Sequence, residues 1–443
     1  MAASPTYQPA DNYLTLEALE FLARPAGAAL RAAAATTQGV WTASQIERAR
    51  HGLPAHLKSA VHAALTLGAL QAKATGPKGK FPELDYVWAP PEALEQATSL
   101  RVARHKARRF AQALAAHPVG DGPAIWDLCC GIGGDTLALA AVAPTLAIDL
   151  SEVRLWCCRQ NAHALEAATG TRLALTTRAT DVCNLGKDVA ERGLLAGRLF
   201  HIDPSRRDAG RRSHAWKDLV PGPDGLRSII AAFAASEGPD QSAGAIKLSP
   251  GVAFDELPPT GHVEVISENG TAVQAVLWLG ALRPGPEHER TATVLSVDAP
   301  PFSLTGTPER APEAVIPAPA AWLYEVNAGV HRAGLAGTLA KQLGLDACNL
   351  DGGYATGPEM LDHPALTRFR TLATVAYSPR RVVEALQSHA AAAPPGAIEV
   401  KTRGGLGLDT DRLQREWSAA AHALTVLIYR GPSGLQASIA QRA

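Results

Sequence analysis

The chain lacks the cysteine spacings that build metal centres, any apolar run long enough to cross a membrane, and any net charge. Its six cysteines (Cys129, Cys130, Cys157, Cys158, Cys183 and Cys348) form no C-x-x-C pair and no C-x-x-x-C-x-x-C set. Zinc and iron–sulfur sites are therefore not expected, and small buried thiols in a reducing cytosol are. Cys183 as a transfer nucleophile has nothing nearby in sequence to activate it. Asp135 and Pro144 interrupt the best apolar stretch, which argues against a spanning helix. The opening Met1-Ala-Ala-Ser-Pro has neither a basic flank nor an apolar core, so no secretory signal is read and a cytoplasmic location is expected. Lys and Arg number 42 and Asp and Glu 42, which argues against a nonspecific nucleic-acid coat. The charge is uneven, though. Residues 1–110 hold 13 Lys/Arg against 8 Asp/Glu, and residues 101–109 hold five basic residues and no acid.

What is present centres on residues 125–139, Ile-Trp-Asp-Leu-Cys-Cys-Gly-Ile-Gly-Gly-Asp-Thr-Leu-Ala-Leu. An apolar run meets an acid at Asp127, a glycine turn follows, and helical spacing resumes from Thr136. That order predicts strand, glycine loop, helix, with backbone free to approach a ligand. A dinucleotide fingerprint would need a third glycine where Thr136 stands, and a P-loop would need Gly-Lys-Ser/Thr where Asp135 follows Gly134. Both nucleotide readings fail. Asp149 ends a second candidate strand and is placed for ribose hydroxyls; Asp181 ends a third. Carboxylates at successive strand ends suit a ligand with hydroxyls, an amine and a cation, a description that S-adenosylmethionine (SAM) meets.

Residues 127–135, Ala147-Ile-Asp-Leu150, Arg159-Gln-Asn161-Ala and Thr180-Asp-Val182 resemble the SAM motifs of class I methyltransferases. Among these the pattern is most similar to the RNA cap guanine-N2 enzymes, the trimethylguanosine synthase group. The whole chain, through residues 93–98, 102–106, 203–208 and 399–404, resembles bacterial class I methyltransferases with a C-terminal THUMP-like domain. The resemblance implies a Rossmann-like α/β sheet of seven strands, a helical N-terminal region and a small α+β C-terminal domain. It implies SAM as methyl donor, no metal, and a cofactor set of Asp127, Cys129, Gly131, Gly133, Asp135, Asp149, Leu150, Asp181 and Val182. It also implies an acceptor motif on the fourth strand of the form Asp/Asn-Pro-Pro-aromatic. Here Asp203 and Pro204 match, Ser205 replaces the second proline, and Arg206 replaces the aromatic. A guanidinium plane can also stack on a base or hold a phosphate. Asp203, Pro204 and Arg206 are therefore the expected catalytic residues.

At 443 residues the chain should hold two or three domains. The expected division is a helical region over 1–117, a methyltransferase domain over 118–298, a linker over 299–320 with six prolines, and an α+β domain over 321–443. Helices are predicted within 14–22 and 55–70 and over 92–117; strands over 124–128, 146–150, 172–177, 198–202, 243–248, 262–268 and 274–281. The last two are joined by Asn269-Gly270, a hairpin dipeptide. Basic residues at 101–109, at 206–217 and at Arg380, Arg381, Lys401 and Arg403 are candidate RNA contacts, the bland alternative being solvated faces. His201, Trp126 and Trp156 read as core residues. The expected partner is RNA, with no membrane and no protein partner evident. Two alternatives stand beside it: methylation of a small anionic metabolite, and a SAM- or RNA-binding protein without catalysis.

Overall fold

A computed structural model describes residues 14–185, 194–206, 215–234, 243–309, 315–316, 318–349, 352–392, 394–403, 405–418 and 422–443. Arg207, Arg211 and Arg212, candidate RNA contacts, lie outside the described residues. The contacts divide the chain into two compact units, residues 1–247 with 278–282, and residues 248–277 with 283–443.

The first unit begins with helices: α1 (Leu16–Ala23), α2 (Pro25–Thr36), α3 (Ala43–His51), α4 (Ser59–Thr75), α5 (Pro91–Gln96) and α6 (Leu100–Ala116). The continuous helix expected over 92–117 is two helices, broken where Ala97 is extended (φ −58°, ψ 141°) and Ser99 caps α6. No glycine marks the break. The break lies against the glycine loop, where a Cβ on Gly134 would lie 2.8 Å from the Thr98 backbone nitrogen.

Beyond α6 come β1 (Ile125–Leu128), α7 (Thr136–Ala140), β2 (Thr145–Asp149), α8 (Glu152–Thr169), β3 (Leu175–Ala179), β4 (Leu199–Ile202), α9 (Pro223–Phe233) and β5 (Gly244–Leu248). β1 pairs in parallel with β2 and β4, β2 with β3, and β4 with β5. The N-terminal helices do not stand apart from this sheet. Leu19, Leu67, Phe81 and Trp88 share one core with Ile132, Leu137, Trp156 and Leu165. Asn161, fully buried on α8, fixes that join by bonding both backbone groups of Trp88 (2.8 and 3.0 Å) and the Ile132 carbonyl (3.1 Å).

The sequence continues through β6 (His262–Glu268), β7 (Thr271–Leu279), β8 (Arg290–Leu295) and β9 (Phe302–Gly306), and the strand order is β9-β8-β6-β7-β5-β4-β1-β2-β3. The seven expected strands are all present, with β7 between β5 and β6. β3 starts three residues later than expected and β7 three residues earlier. Asn269 and Gly270 form the β6–β7 turn with φ of 50° and 84°, as a two-residue hairpin requires. β8 and β9 extend the sheet beyond the expected seven, and β9 lies inside the stretch expected to be a linker.

The second unit carries its own seven-stranded sheet, built from β10 (Trp322–Val326), β11 (Asp346–Ala347), β12 (Tyr354–Gly357), β13 (Leu366–Ala376), β14 (Glu399–Thr402), β15 (Thr425–Gly431) and β16 (Gly434–Arg442). The order is β11-β12-β10-β13-β16-β15-β14, with only the β14–β15 pair parallel. Val382 and Leu386, from a helix over Pro379–His389, pack with Trp417, Val426 and Ile428. Among the described residues no helix is long and apolar enough to cross a membrane.

Candidate cofactor and acceptor site

The site is built on the carboxyl ends of β1 to β4, where parallel sheets bind ligands. Past Leu128 the backbone enters left-handed conformations at Cys129 (φ 58°), Gly131 (φ 57°) and Gly133 (φ 92°). A Cβ on Gly133 would lie 2.8 Å from Cys158 Sγ, so this glycine lets the loop seat on α8. A Cβ on Gly131 would meet nothing within 4 Å, which leaves an open cradle on the loop.

Asp149 closes the cradle. Its Oδ2 accepts from Gly131 N (2.9 Å) and its Oδ1 from Ser151 N (2.9 Å). Burial pushes its pKa up, and the two backbone hydrogen bonds act against that rise. Each oxygen keeps a second lone pair for a ligand hydroxyl. Leu150 beside it is 66% exposed, an apolar side chain open at the edge of the cradle. Asp181, after β3, accepts from Cys183 N (2.9 Å) and starts the short turn that buries Val182. The Cys129 thiol is held protonated: burial raises its pKa, and the Asp149, Asp203 and Asp127 carboxylates raise it further.

Asp127 and Asp135, both expected at the cofactor, are turned into the protein. Asp127 is fully buried, its Oδ1 2.7 Å from His201 Nδ1 and its Oδ2 accepting from Thr136 Oγ1 at 2.5 Å. Asp135 Oδ2 accepts from Thr98 Oγ1 (2.7 Å), and its Oδ1 lies 2.6 Å from the Lys106 ammonium. Lys106 also reaches His201 Nε2 at 3.1 Å. A buried chain of polar groups, Thr136–Asp127–His201–Lys106–Asp135–Thr98, thus braces the glycine loop against α6 and β4. Burial alone would raise the Asp135 pKa, but Lys106 and then His201 outweigh it and hold the carboxyl well below the usual range. Burial pushes Lys106 down, against the pull of Asp135.

Asp203 follows β4 directly, and its N–H donates to the Leu128 carbonyl (3.1 Å), which ties it to the start of the glycine loop. Its side chain is 32% exposed. Pro204 is buried, and the Arg206 backbone pairs with Leu219 in a two-residue antiparallel ladder. Sequence reasoning missed Lys247, at the end of β5, whose ammonium donates to Asp203 Oδ2 (2.7 Å) and to the Gln96 carbonyl (3.0 Å).

The basic strip on α6 is not one face. Lys106 is buried, the Arg109 guanidinium lies over the Trp278 ring at 5.0 Å, and Arg104 makes a two-pronged pair with Glu83. Arg108 is exposed. In the second unit, Lys401 and Arg403 both pair with Glu325, at 2.9 and 3.0 Å. Among the described residues no group of three His, Cys, Asp or Glu side chains is arranged to hold a metal ion.

No family model matches the sequence. The chain is 31% identical over 348 residues to an uncharacterised S-adenosylmethionine-dependent methyltransferase of Mycobacterium tuberculosis strain H37Rv, covering 77% of this chain and 84% of the relative. The counterpart in strain CDC 1551 matches to the same extent. A crystal structure from Porphyromonas gingivalis W83, provisionally described as a methyltransferase, superposes with a TM-score of 0.66 at 18% identity, covering 94% of this chain and 98% of that one.

Proposed function

The chain belongs to the S-adenosylmethionine-dependent methyltransferases, and we propose that it methylates RNA, with a base amine as the acceptor held at Asp203. The open cradle at Gly131, the carboxylate of Asp149 and the exposed Leu150 fit SAM. On this reading Asp149 takes the ribose hydroxyls, Leu150, Asp181 and Val182 border the adenine, and the Cys129–Gly133 loop takes the methionine part. Asp127 and Asp135 serve the cofactor at one remove, by holding the loop in shape.

SAM supplies an already activated methyl group, so the protein's work is alignment and the exclusion of water. The carbon–sulfur bond breaks as the carbon–nitrogen bond forms, and the acceptor nitrogen loses a proton. Asp203 carries the proposal, because it is a partly exposed acid tied by its own N–H to the start of the glycine loop. Lys247 engages one oxygen, and the other is assigned to the acceptor N–H, taking its hydrogen bond during attack and passing the proton to solvent. Arg206, three residues on, is assigned to base stacking or to a phosphate. The motif resembles that of the RNA cap guanine-N2 enzymes, which favours an exocyclic base amine. The α+β architecture of the second unit agrees with a THUMP-like role in holding RNA, with exposed Arg381 as its candidate cation, since Lys401 and Arg403 pair with Glu325 and Arg380 with Glu384.

The test is mass analysis of nucleosides in total RNA from a strain lacking this protein. One methylated nucleoside should disappear and return when purified protein and SAM are added to that RNA. An unchanged nucleoside profile, together with methyl transfer to a small metabolite, would overturn the RNA assignment.

A further inference from the structure

The acceptor motif does not explain why a lysine is bonded to its acid. Lys247 and Asp203 sit side by side, because β4 and β5 run parallel with His201 opposite Ala245 and Ile202 opposite Ile246. The Lys247 side chain is 13% exposed and is directed by two acceptors, Asp203 Oδ2 and the Gln96 carbonyl. The second acceptor closes α5, at the break before Thr98. The pair is thus held from β4, β5 and the α5 end together. A second ammonium, Lys106, is near enough to act on both partners.

We propose that Lys247 sets the charge class of the acceptor: by neutralising Asp203 it turns away substrates that arrive as cations, such as a protein lysine or an aliphatic amine, and admits a neutral N–H on an anionic carrier. This rests on the reading that Asp203 faces the donor methyl group. The chemistry gives the reason for such a device. A protonated amine has no lone pair to attack with, yet a lone carboxylate at the transfer point would bind that unreactive form best. A nucleobase amine is neutral at pH 7 and needs only a hydrogen-bond acceptor. With one oxygen of Asp203 on Lys247, the acid keeps that acceptor while the pair carries no net charge.

The test needs no RNA. Sinefungin carries an ammonium-bearing carbon in place of the sulfonium and its methyl, and S-adenosylhomocysteine carries nothing there. The ratio of their affinities, measured by calorimetry on the full chain, reads the charge at the transfer point. Lys247→Met should shift the ratio toward sinefungin by about tenfold, the order of effect of removing one nearby cation in a partly solvated site. Lys247→Gln, which keeps a hydrogen-bond donor without the charge, should do the same, and Lys247→Arg should restore the original ratio. Asp203→Asn should move it the other way. If Asp203→Asn shifts the ratio while Lys247→Met and Lys247→Gln do not, Lys247 is not the charge selector. If both neutral variants instead lose S-adenosylhomocysteine in step with early melting, its role is structural and the proposal falls. If Asp203→Asn moves nothing, the acid is not beside the methyl group, and the reading beneath the proposal fails by its own distinct signature.

Discussion

Replacing Lys106 by methionine should destabilise the first unit more than any exposed charge change could. The methionine keeps most of the stem, so little cavity is added, and what is lost is the ammonium 2.6 Å from Asp135 Oδ1. Lys106 is 1% exposed and Asp135 6%, so water cannot take its place. Removing one partner of such a buried pair costs about 3–5 kcal/mol, because the remaining charge is stranded. Thr98 still bonds Asp135 and His201 stands 3.6 Å from it, which favours the lower end of that range. Removing the stranded charge as well, in Lys106→Met with Asp135→Asn, should recover most of the loss, since asparagine can keep the Thr98 hydrogen bond. Hydrogen exchange of peptides covering β1 and β4 reads this locally, so unfolding of the second unit does not enter. The sign with pH follows from the depressed Asp135 pKa. The stabilisation is fully present above the unfolded value of about 4 and is lost as pH falls below it. Asp135→Asn should therefore flatten the loss of protection on acidification. A cost under about 1 kcal/mol for Lys106→Met, or a double variant no better than the single one, would refute the buried-pair argument.

Asp149→Ala should weaken SAM binding by about 1.5–3 kcal/mol in calorimetry, the worth of hydrogen bonds to a charged group; an unchanged affinity removes the ribose assignment. Asp203→Ala should lower turnover about 10²-fold or more while affinity for the uncharged S-adenosylhomocysteine stays nearly intact, and parallel loss of that binding and of melting temperature would instead make it a fold residue. RNA affinity should fall by roughly 0.7 log unit per log salt for each single-stranded phosphate contact, and Arg101→Glu with Arg108→Glu should flatten that slope. Salt-independent binding would take α6 out of the interface.

The glycine loop and the acids at 149, 181 and 203 could be read from sequence because each is a local event, a strand ending in an acid or a glycine turn. What could not be read depends on contacts between segments far apart in the chain. The prolines at 300 and 301 suggested a linker, yet β9 is an edge strand, and a proline at the start of an edge strand costs no ladder hydrogen bond. The break at residues 97–99 leaves no mark in the helical spacing, and its one local signal is Ser99, a capping residue whose Oγ accepts from Val102 N at 3.3 Å. Lys247 fell inside a correctly placed strand, but its partner is known only once β4 and β5 are known to be neighbours.

Lys106 differs from these, because its signal was present. It stands three residues after Ala103 and four before Phe110, both buried, which puts it on the apolar stripe and not on the exposed side. A lysine at such a position must either leave a charge unpaired in the core or find a carboxylate there, and the first option is prohibitively costly. The buried acids follow from the same logic. Asp127 and Asp135 flank the glycine loop, and matching a lysine on the apolar stripe to an acid beside the loop would have separated the acids that brace the loop from those proposed to meet the ligand. Position in a motif shows that an acid is required. Helical phase and burial decide whether its partner is the cofactor or the protein.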